Sequence, residues 1–227
     1  MGDGAPSGEE RERVKAREAV PCLAASSELR SPPWCRVYDI VFRNIWLRKS
    51  YHLAAGVVLI VCITKLPRPW LLGLGMTWLI VFGILSRRLS TAMLGLLLVN
   101  LVSGSRLVTL GATVVFVAGD AMSALIGSLL PVGRWPWNPK KTFSGSLSFV
   151  VFGALALAAV MWHTAGTTPS RLILLSLLPA VAGAVAEVAP WAAIPDLRDS
   201  TPDDNLAVTL ASGGVLAVLV RVLGVAG

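Results

Sequence analysis

The chain has 227 residues, of which 55% are hydrophobic and 15% are charged, and its mean hydropathy is +0.70. This apolar content excludes a soluble globular domain, and because about 20 apolar residues cross a bilayer as a helix, the composition predicts a polytopic, all-α membrane protein. The net charge of +7 favours anionic lipid headgroups or a polyanionic substrate, whereas the lack of a basic patch interleaved with aromatic residues excludes nucleic acid as a partner.

The residues before the first long apolar run are predicted to lie outside the bilayer. Residues 1–33 are rich in Glu, Lys and Arg, which is typical of a mobile cytosolic tail and not of a signal peptide. Residues 34–48 have apolar side chains at helical spacing and predict an amphipathic helix on the membrane surface. The transmembrane domain is then expected over residues 49–227.

Apolar runs bounded by charges, Pro or Gly predict about seven transmembrane helices. The predicted spans are residues 51–66, 69–86, 89–102, 107–130, 145–164, 170–191 and 205–225. Because Lys and Arg are retained on the cytoplasmic side, the distribution of basic residues favours a cytosolic amino terminus and cytosolic polar loops. The residues on that side are Arg87, Arg88, Arg134, Lys140, Lys141 and Arg198, against Lys65, Arg68, Arg106 and Arg171 on the other.

The sequence "RKSYH" at residues 48–52 places two cations and a histidine at the mouth of the first predicted span. Arg48 and His52 are four residues apart and share one helix face, so they and Lys49 are candidates for binding an anionic group. Anchoring of the helix by the positive charges, with an interfacial histidine, is the alternative.

Asp120 lies inside the fourth predicted span, in "RLVTLGATVVFVAGDAMSALIGSLL", and no charged residue occurs within a dozen positions on either side. A carboxylate at that depth costs about 2.5–3.5 kcal/mol and therefore needs a cation, a proton or a metal ion. Gly119, Ser123 and Gly127 recur every fourth residue beside it and allow a ligand or another helix to approach closely. A helix-packing seam with a protonated aspartate is the alternative.

The loop after this span, "PVGRWPWNPKKTFSGS", combines cations, hydroxyl groups and a glycine at the start of a helix. This combination suits a triphosphate, because a helix amino terminus also offers free N–H groups. The residues are Arg134, Lys140, Lys141, Thr142, Ser144, Gly145 and Ser146. No GxxxxGK[ST] motif occurs, which excludes a P-loop protein, and a lysine pair that only anchors the topology is the alternative.

Acidic residues return at the end of the sixth predicted span and before the last one. Glu187 lies near the foot of the sixth span, and "DLRDSTPDDNLAV" follows it. Asp203, Asp204 and Asn205 offer the hard oxygen ligands that hold Mg²⁺ on phosphates. A helix cap by one of these aspartates is the alternative.

In this order the motifs resemble those of the CTP-dependent lipid-alcohol kinases, the family of dolichol kinase, phytol kinase and CTP-dependent diacylglycerol kinase. The resembling elements are "RKSYH" at 48–52, "GDAMSALIG" at 119–127, "KKTFSGS" at 140–146, Glu187 and "DDNLAV" at 203–208. The resemblance implies that Asp120 holds a divalent ion or the nucleotide and that Lys141 binds phosphate. It also implies that Glu187, Asp204 and Asn205 complete the site, with Asp120, Asp204 and Asn205 as ligands of Mg²⁺.

The implied activity is transfer of phosphate from CTP to the hydroxyl of a membrane lipid alcohol at the cytosolic face. Polyprenol, dolichol, phytol and diacylglycerol are all candidate substrates, because Ser144 stands where many relatives have an acidic residue and Val208 is not followed by their usual Pro. Asp120, Glu187 and His52 are the candidate general bases. The bilayer is the expected environment, and a homo-oligomer is left open.

Two other functions stay open from the sequence. Phosphatidate cytidylyltransferase, also called CDP-diacylglycerol synthase, shares a Gly-Asp helix and a "PKKT" loop, here Pro139 to Thr142. Its late Gly-His-Gly-Gly segment is missing, since no histidine follows His163. A small membrane transporter would explain Asp120 as an ion site, but not the polar loops predicted on the same face.

Overall fold

The computed structural model describes residues 45–85, 87–190 and 204–225, except for the side chains of residues 45–49, 51, 52, 82–85, 87–90 and 204. The chain divides into two units, Met1–Tyr51 and His52–Gly227. The predicted tail and the larger part of the predicted surface helix lie outside the described residues, so both stay predictions. Within the first unit, the described residues are the start of one helix.

Seven helices and a two-stranded hairpin occupy the described ranges. In chain order they are α1 (Ile45–Lys65), α2 (Arg68–Leu85), α3 (Arg87–Ser103), α4 (Arg106–Leu129), β1 (Arg134–Trp135), β2 (Asn138–Thr142), α5 (Phe143–Ala165), α6 (Pro169–Val188) and α7 (Asp204–Val222). Each helix overlaps one predicted span, so the helical class agrees with the sequence. Helices α4 to α7 are long and apolar enough to cross a membrane. Seven crossings stay a prediction.

The outward surfaces of the helices are apolar, as expected for contact with lipid. Large exposed hydrophobic side chains occur on all seven described helices and include Val58, Trp70, Ile80, Leu101, Leu129, Leu147, Leu155, Ile173, Val185 and Val218. Soluble proteins rarely expose contiguous apolar surface of this extent, because water penalises it. The exposed surface therefore supports an integral membrane protein.

Helix α4 contributes to the centre of the core. Its residues Ala112 and Val115 belong to one buried cluster with Phe149 of α5, Leu175 of α6 and Leu216 of α7. Small residues permit the close helix approaches that stabilise membrane proteins, where lipid weakens the hydrophobic drive for helix association. The four long helices thus form one packed body.

The fully buried ring of Phe149 fills the space between a glycine of α4 and a glycine of α6. A Cβ atom at Gly119 would lie 2.7 Å from the ring, and one at Gly183 would lie 3.0 Å from it. A second close approach joins Gly127 of α4 to Gly145 of α5, where an added Cβ would lie 3.5 Å from the opposing Cα atom. These glycines set the separation between the helices that carry the polar residues.

We expect Gly119→Ala to lower the free energy of unfolding by about 1–3 kcal/mol, because the added methyl group overpacks the Phe149 ring. Gly73→Ala on α2 is the matched control, since no atom lies within 4 Å of its added Cβ, and it should be neutral or stabilising. Phe149→Leu should partly rescue Gly119→Ala. Thermal unfolding in detergent measures all three, and equal stability of the two alanine variants would contradict the close packing.

Arginines at one end of the bundle bind the carboxyl-terminal carbonyls of α3. Arg68 donates to the Asn100 carbonyl at 3.0 Å, and Arg221 donates to the Val102 carbonyl at 3.4 Å. The Asn100 side chain is buried and donates to Thr109 Oγ1 at 3.0 Å. Cations stabilise helix carboxyl termini through the helix dipole. This end therefore joins the start of α2, the end of α3, the start of α4 and the end of α7. Arg221 is a cation that the prediction of membrane orientation from basic residues did not include.

The opposite end carries the hairpin, which lies within the segment predicted as the loop after the fourth span. Strands β1 and β2 pair antiparallel, with Arg134 opposite Thr142 and Trp135 opposite Asn138. The chain enters the hairpin at Gly133, whose φ of +60° favours glycine. Strands of two and five residues are too short to show an alternation of apolar and polar residues, so the hairpin was not predicted from the sequence. Which end faces the cytosol stays a prediction.

Candidate functional site

Glu187, at the end of α6, is the centre of a polar cluster at the hairpin end of the bundle. The residue is 4% exposed, and its Oε1 atom accepts hydrogen bonds from Lys141 Nζ at 2.9 Å and from Ser123 Oγ at 3.0 Å. The lysine comes from β2 and the serine from α4. Three segments that are distant in sequence are thereby joined at one carboxylate.

The second oxygen of this carboxylate, Oε2, is buried and has no hydrogen-bond partner within the described ranges. A buried carboxylate oxygen normally has one, because losing its hydration is costly. Asp120 lies close enough to Glu187 for their charges to interact. We define the polar cluster as Asp120, Ser123, Lys141 and Glu187.

Two neighbouring carboxylates and an unpartnered oxygen fit a hard cation such as Mg²⁺. Magnesium ions in nucleotide sites are commonly held by one or two carboxylates, with phosphates and water completing the ligand shell. Asp120 and Glu187 are the described residues that can serve in this way. Among the described side chains no group of three His, Cys, Asp or Glu residues converges, so the fit is to an ion shared with phosphates and not to an all-protein site.

The start of α7 lies level with Glu187. A Cβ atom on Gly183 of α6 would lie 3.6 Å from Val208 of α7. Helices α6 and α7 run antiparallel, so the end of α6 lies beside the start of α7. Glu187 is one helical turn after Gly183, and Asp204 and Asn205 are about one turn before Val208, so these residues lie at the same height along the bundle. Asn205 is partly buried, and the Asp204 side chain is outside the described residues. Their predicted role as metal ligands stays a prediction.

Helix α1 contains the "RKSYH" motif, of which His52 belongs to the same unit as the polar cluster. Gly56 lies against the Val117 side chain, and Ile63 clusters with Leu110 nearer the other end. Helices α1 and α4 are thus antiparallel, and His52 lies one turn beyond Gly56, level with the residues around position 120. Three predicted site residues have side chains outside the described ones, namely Arg48, Lys49 and His52. Their roles stay predictions.

The small residues predicted to contact nucleotide have observed roles in helix packing. Gly119 lies against Phe149, and Gly127 lies against Gly145. Ser123 donates its hydroxyl hydrogen to Glu187 or to the Asp120 carbonyl at 3.3 Å. Gly119 and Gly127 therefore take part in helix packing, which was the alternative interpretation of the sequence. Contact of these residues with a nucleotide stays a prediction.

The hairpin separates the two adjacent lysines. Lys141 of β2 forms an ion pair with Glu187, whereas Lys140 and Thr142, on either side of it in the sequence, line a pocket. This pocket is open and has a volume of about 560 Å³. The pocket is lined by Gly127, Ser128, Pro131, Arg134, Pro139, Lys140 and Thr142.

Two tryptophans that the sequence reasoning missed attach the hairpin to the helices. Trp137 Nε1 donates to the Val188 carbonyl at 3.0 Å, and Trp135 Nε1 donates to Ser146 Oγ at 2.9 Å. The two rings are 5.0 Å apart. Ser146, predicted to contact nucleotide, also donates to the Thr142 carbonyl at 3.2 Å. The signal was present in "RWPW", because tryptophan with a paired N–H commonly marks a membrane interface.

We expect Trp137→Phe to lower the free energy of unfolding by about 1 kcal/mol, because it removes the N–H that binds the Val188 carbonyl and keeps the aromatic ring. Trp162→Phe on α5 is the matched control, since Trp162 is also more than half exposed. Thermal unfolding in detergent compares the two. Equal midpoints would contradict the anchoring role of Trp137.

Comparison with characterised proteins finds similarity to the chloroplastic farnesol kinase of Arabidopsis thaliana. The two sequences are 31% identical over 99 residues, which is 42% of this chain and 30% of the farnesol kinase. The match thus covers less than a third of that relative's length. No protein-family model matches the chain. No solved structure matches it either.

Proposed function

We propose that this protein is a CTP-dependent kinase that phosphorylates the hydroxyl of an isoprenoid or other lipid alcohol in the membrane. The observation that carries the proposal is the polar cluster: a buried carboxylate with one unpartnered oxygen, beside a second carboxylate and a lysine, at one end of an apolar helix bundle. The similarity to a farnesol kinase supports a lipid alcohol as substrate. The motif resemblance supports CTP as the donor.

Phosphoryl transfer is catalysed mainly by positioning and by stabilising charge, and the cluster offers both. Asp120 and Glu187 would hold Mg²⁺, which neutralises charge on the transferring phosphate when it is bound. Asp204 and Asn205 would complete the ligands from the start of α7. The lysine hydrogen-bonded to Glu187 fixes the orientation of that carboxylate.

The lipid hydroxyl would enter from the side, at the level of the headgroups. Leu147 of α5 and Val185 of α6 are both more than 60% exposed, and Val185 is two residues before Glu187. These side chains would form an apolar path from the bilayer to the polar cluster. Asp120 or Glu187 would accept the hydroxyl proton. His52 is the third candidate base, because its helix position is level with the cluster.

Incubation of the purified protein with γ-labelled CTP or ATP and a panel of lipid alcohols tests the proposal. The panel contains farnesol, a polyprenol, dolichol, phytol and diacylglycerol. We expect label in the lipid with CTP and at least one isoprenoid alcohol, together with release of CDP. Absence of label with every alcohol would refute the kinase.

The nucleotide product also separates the kinase from the other candidate functions. A phosphatidate cytidylyltransferase would release pyrophosphate and leave CMP on the lipid, so phosphatidate belongs in the panel as an additional substrate. A transporter would produce neither. The pairing of Lys141 with Glu187 favours an enzyme, because a proton or ion path through Asp120 gives no reason for that ion pair.

A further inference from the structure

Three arginines surround the turn between α3 and α4, at the end of the bundle away from the polar cluster. Arg68 of α2 donates to the side-chain and backbone oxygens of Asn100, at 3.3 and 3.0 Å. Arg221 of α7 donates to the Val102 carbonyl at 3.4 Å. Arg106 is the first residue of α4, immediately after the turn. We define the arginine cluster as Arg68, Arg106 and Arg221.

The described part of the chain does not compensate the charge of the arginine cluster. Its acidic side chains, Asp120 and Glu187, both belong to the polar cluster at the opposite end. The carboxyl terminus of α3 contributes roughly half an elementary negative charge. Arg106 lies at a helix amino terminus, where the dipole disfavours a cation, so helix capping does not explain its position. A negatively charged ligand would therefore stabilise this end.

The three most exposed large hydrophobic side chains of the described residues lie beside these arginines. Trp70, two residues after Arg68, is 71% exposed. Val222, which follows Arg221, is 76% exposed. Val102, whose carbonyl binds Arg221, is 77% exposed. Water penalises such exposure and acyl chains do not, and tryptophan is enriched at the level of the headgroups.

We propose that the arginine cluster binds the headgroup of an anionic phospholipid, with the acyl chains against the exposed apolar residues of α2, α3 and α7. Guanidinium groups present several N–H donors that match phosphate oxygens. Helix α3 packs against both α2 and α7, so one lipid can contact all three helices. A free phosphate would use the arginines but leave Trp70, Val102 and Val222 in water.

Native mass spectrometry of the detergent-solubilised protein, titrated with dioleoyl phosphatidylglycerol or dioleoyl phosphatidylcholine, tests the proposal. We expect the wild type to bind phosphatidylglycerol more tightly. Arg106→Gln and Arg221→Gln should each weaken that binding about fivefold, the typical contribution of one arginine at an anionic membrane surface. Both side chains are exposed, so the variants should stay folded. Arg171→Gln is the matched control, because Arg171 is exposed at the same end but lies outside the arginine cluster.

Three outcomes would overturn the proposal. Equal affinity of the wild type for the two lipids would exclude recognition of an anionic headgroup. Equal losses in Arg171→Gln and Arg221→Gln would mean that a diffuse positive field, and not the arginine cluster, attracts the lipid. Displacement of phosphatidylglycerol by millimolar inorganic phosphate would assign the arginines to a soluble anion.

Thermal unfolding in nanodiscs provides a second readout within a bilayer. The wild type should unfold at a higher temperature in nanodiscs that contain phosphatidylglycerol than in nanodiscs of phosphatidylcholine alone, because a ligand of the folded state stabilises it. This difference should shrink in Arg106→Gln and Arg221→Gln and persist in Arg171→Gln. The same difference in all four proteins would contradict the site.

These measurements use neither nucleotide nor lipid alcohol, so their outcome is separate from that of the kinase assay. Arginine-dependent binding of phosphatidylglycerol by a protein without transfer activity would refute the kinase and support the lipid site. Transfer activity together with equal binding of the two phospholipids would support the kinase and refute the lipid site.

Discussion

Asp120→Asn should reduce transfer of label from γ-labelled CTP to lipid by at least about 100-fold. The substitution keeps the size of the side chain but removes one of the two charges proposed to hold Mg²⁺, and loss of one strong electrostatic contact in an active site typically costs 10²–10³ in rate. Glu187 would then be the single described carboxylate left in the polar cluster. Initial rates over a range of Mg²⁺ concentrations measure the effect.

The variant should remain folded, because asparagine preserves the shape of the helix surface and Gly119, beside it, still packs on Phe149. Helical circular dichroism and elution as a single species in detergent check this. Arg171→Gln, distant from the cluster, provides the activity control. Retention of more than a tenth of the wild-type rate in folded Asp120→Asn would contradict the assignment.

Lys141→Met should lower the free energy of unfolding by about 3 kcal/mol, because it leaves the buried carboxylate of Glu187 without its cation. Glu187→Leu should cost less, because the quarter-exposed ammonium group of Lys141 can turn toward water. The double variant should recover to within about 1 kcal/mol of the wild type, since an apolar pair of similar volume often replaces a buried ion pair without loss. Both single variants should also lose transfer activity.

Titration with a denaturing detergent measures the four free energies of this double-mutant cycle. The two single effects should be strongly non-additive, because Lys141 and Glu187 share one contact. Additive effects, or a larger loss in Glu187→Leu than in Lys141→Met, would contradict a buried ion pair at this position. The cycle depends on no assumption about nucleotide or lipid.

Much of the helical framework could be predicted because the relevant signal is local. Each apolar run is long compared with a helical turn, and a charge within such a run is visible without knowledge of the fold. Asp120 and Glu187 were therefore recognised from the sequence, and the structure brings them close enough to interact. Helices α4 to α7 reach the length and apolarity of a membrane span, and crossing of the membrane by α1 to α3 stays a prediction.

Contacts between distant segments were not predictable in the same way. Ser123 and Glu187 are 64 residues apart, and Trp137 and Val188 are 51 residues apart. No periodicity links residues at such separations, since the pairing depends on how the helices pack and where the hairpin lies. The tryptophan anchors were missed for this reason.

By itself, the sequence determined that the chain is helical and apolar and that a few charged residues must cluster, because burial of a lone charge in an apolar environment is too costly. Only the tertiary structure decided which charges meet. The pairing of β1 with β2 turns Lys141 toward Glu187 and Lys140 toward the pocket with Arg134. The two lysines are adjacent and identical in the sequence, but their contacts in the folded hairpin place them in different electrostatic environments.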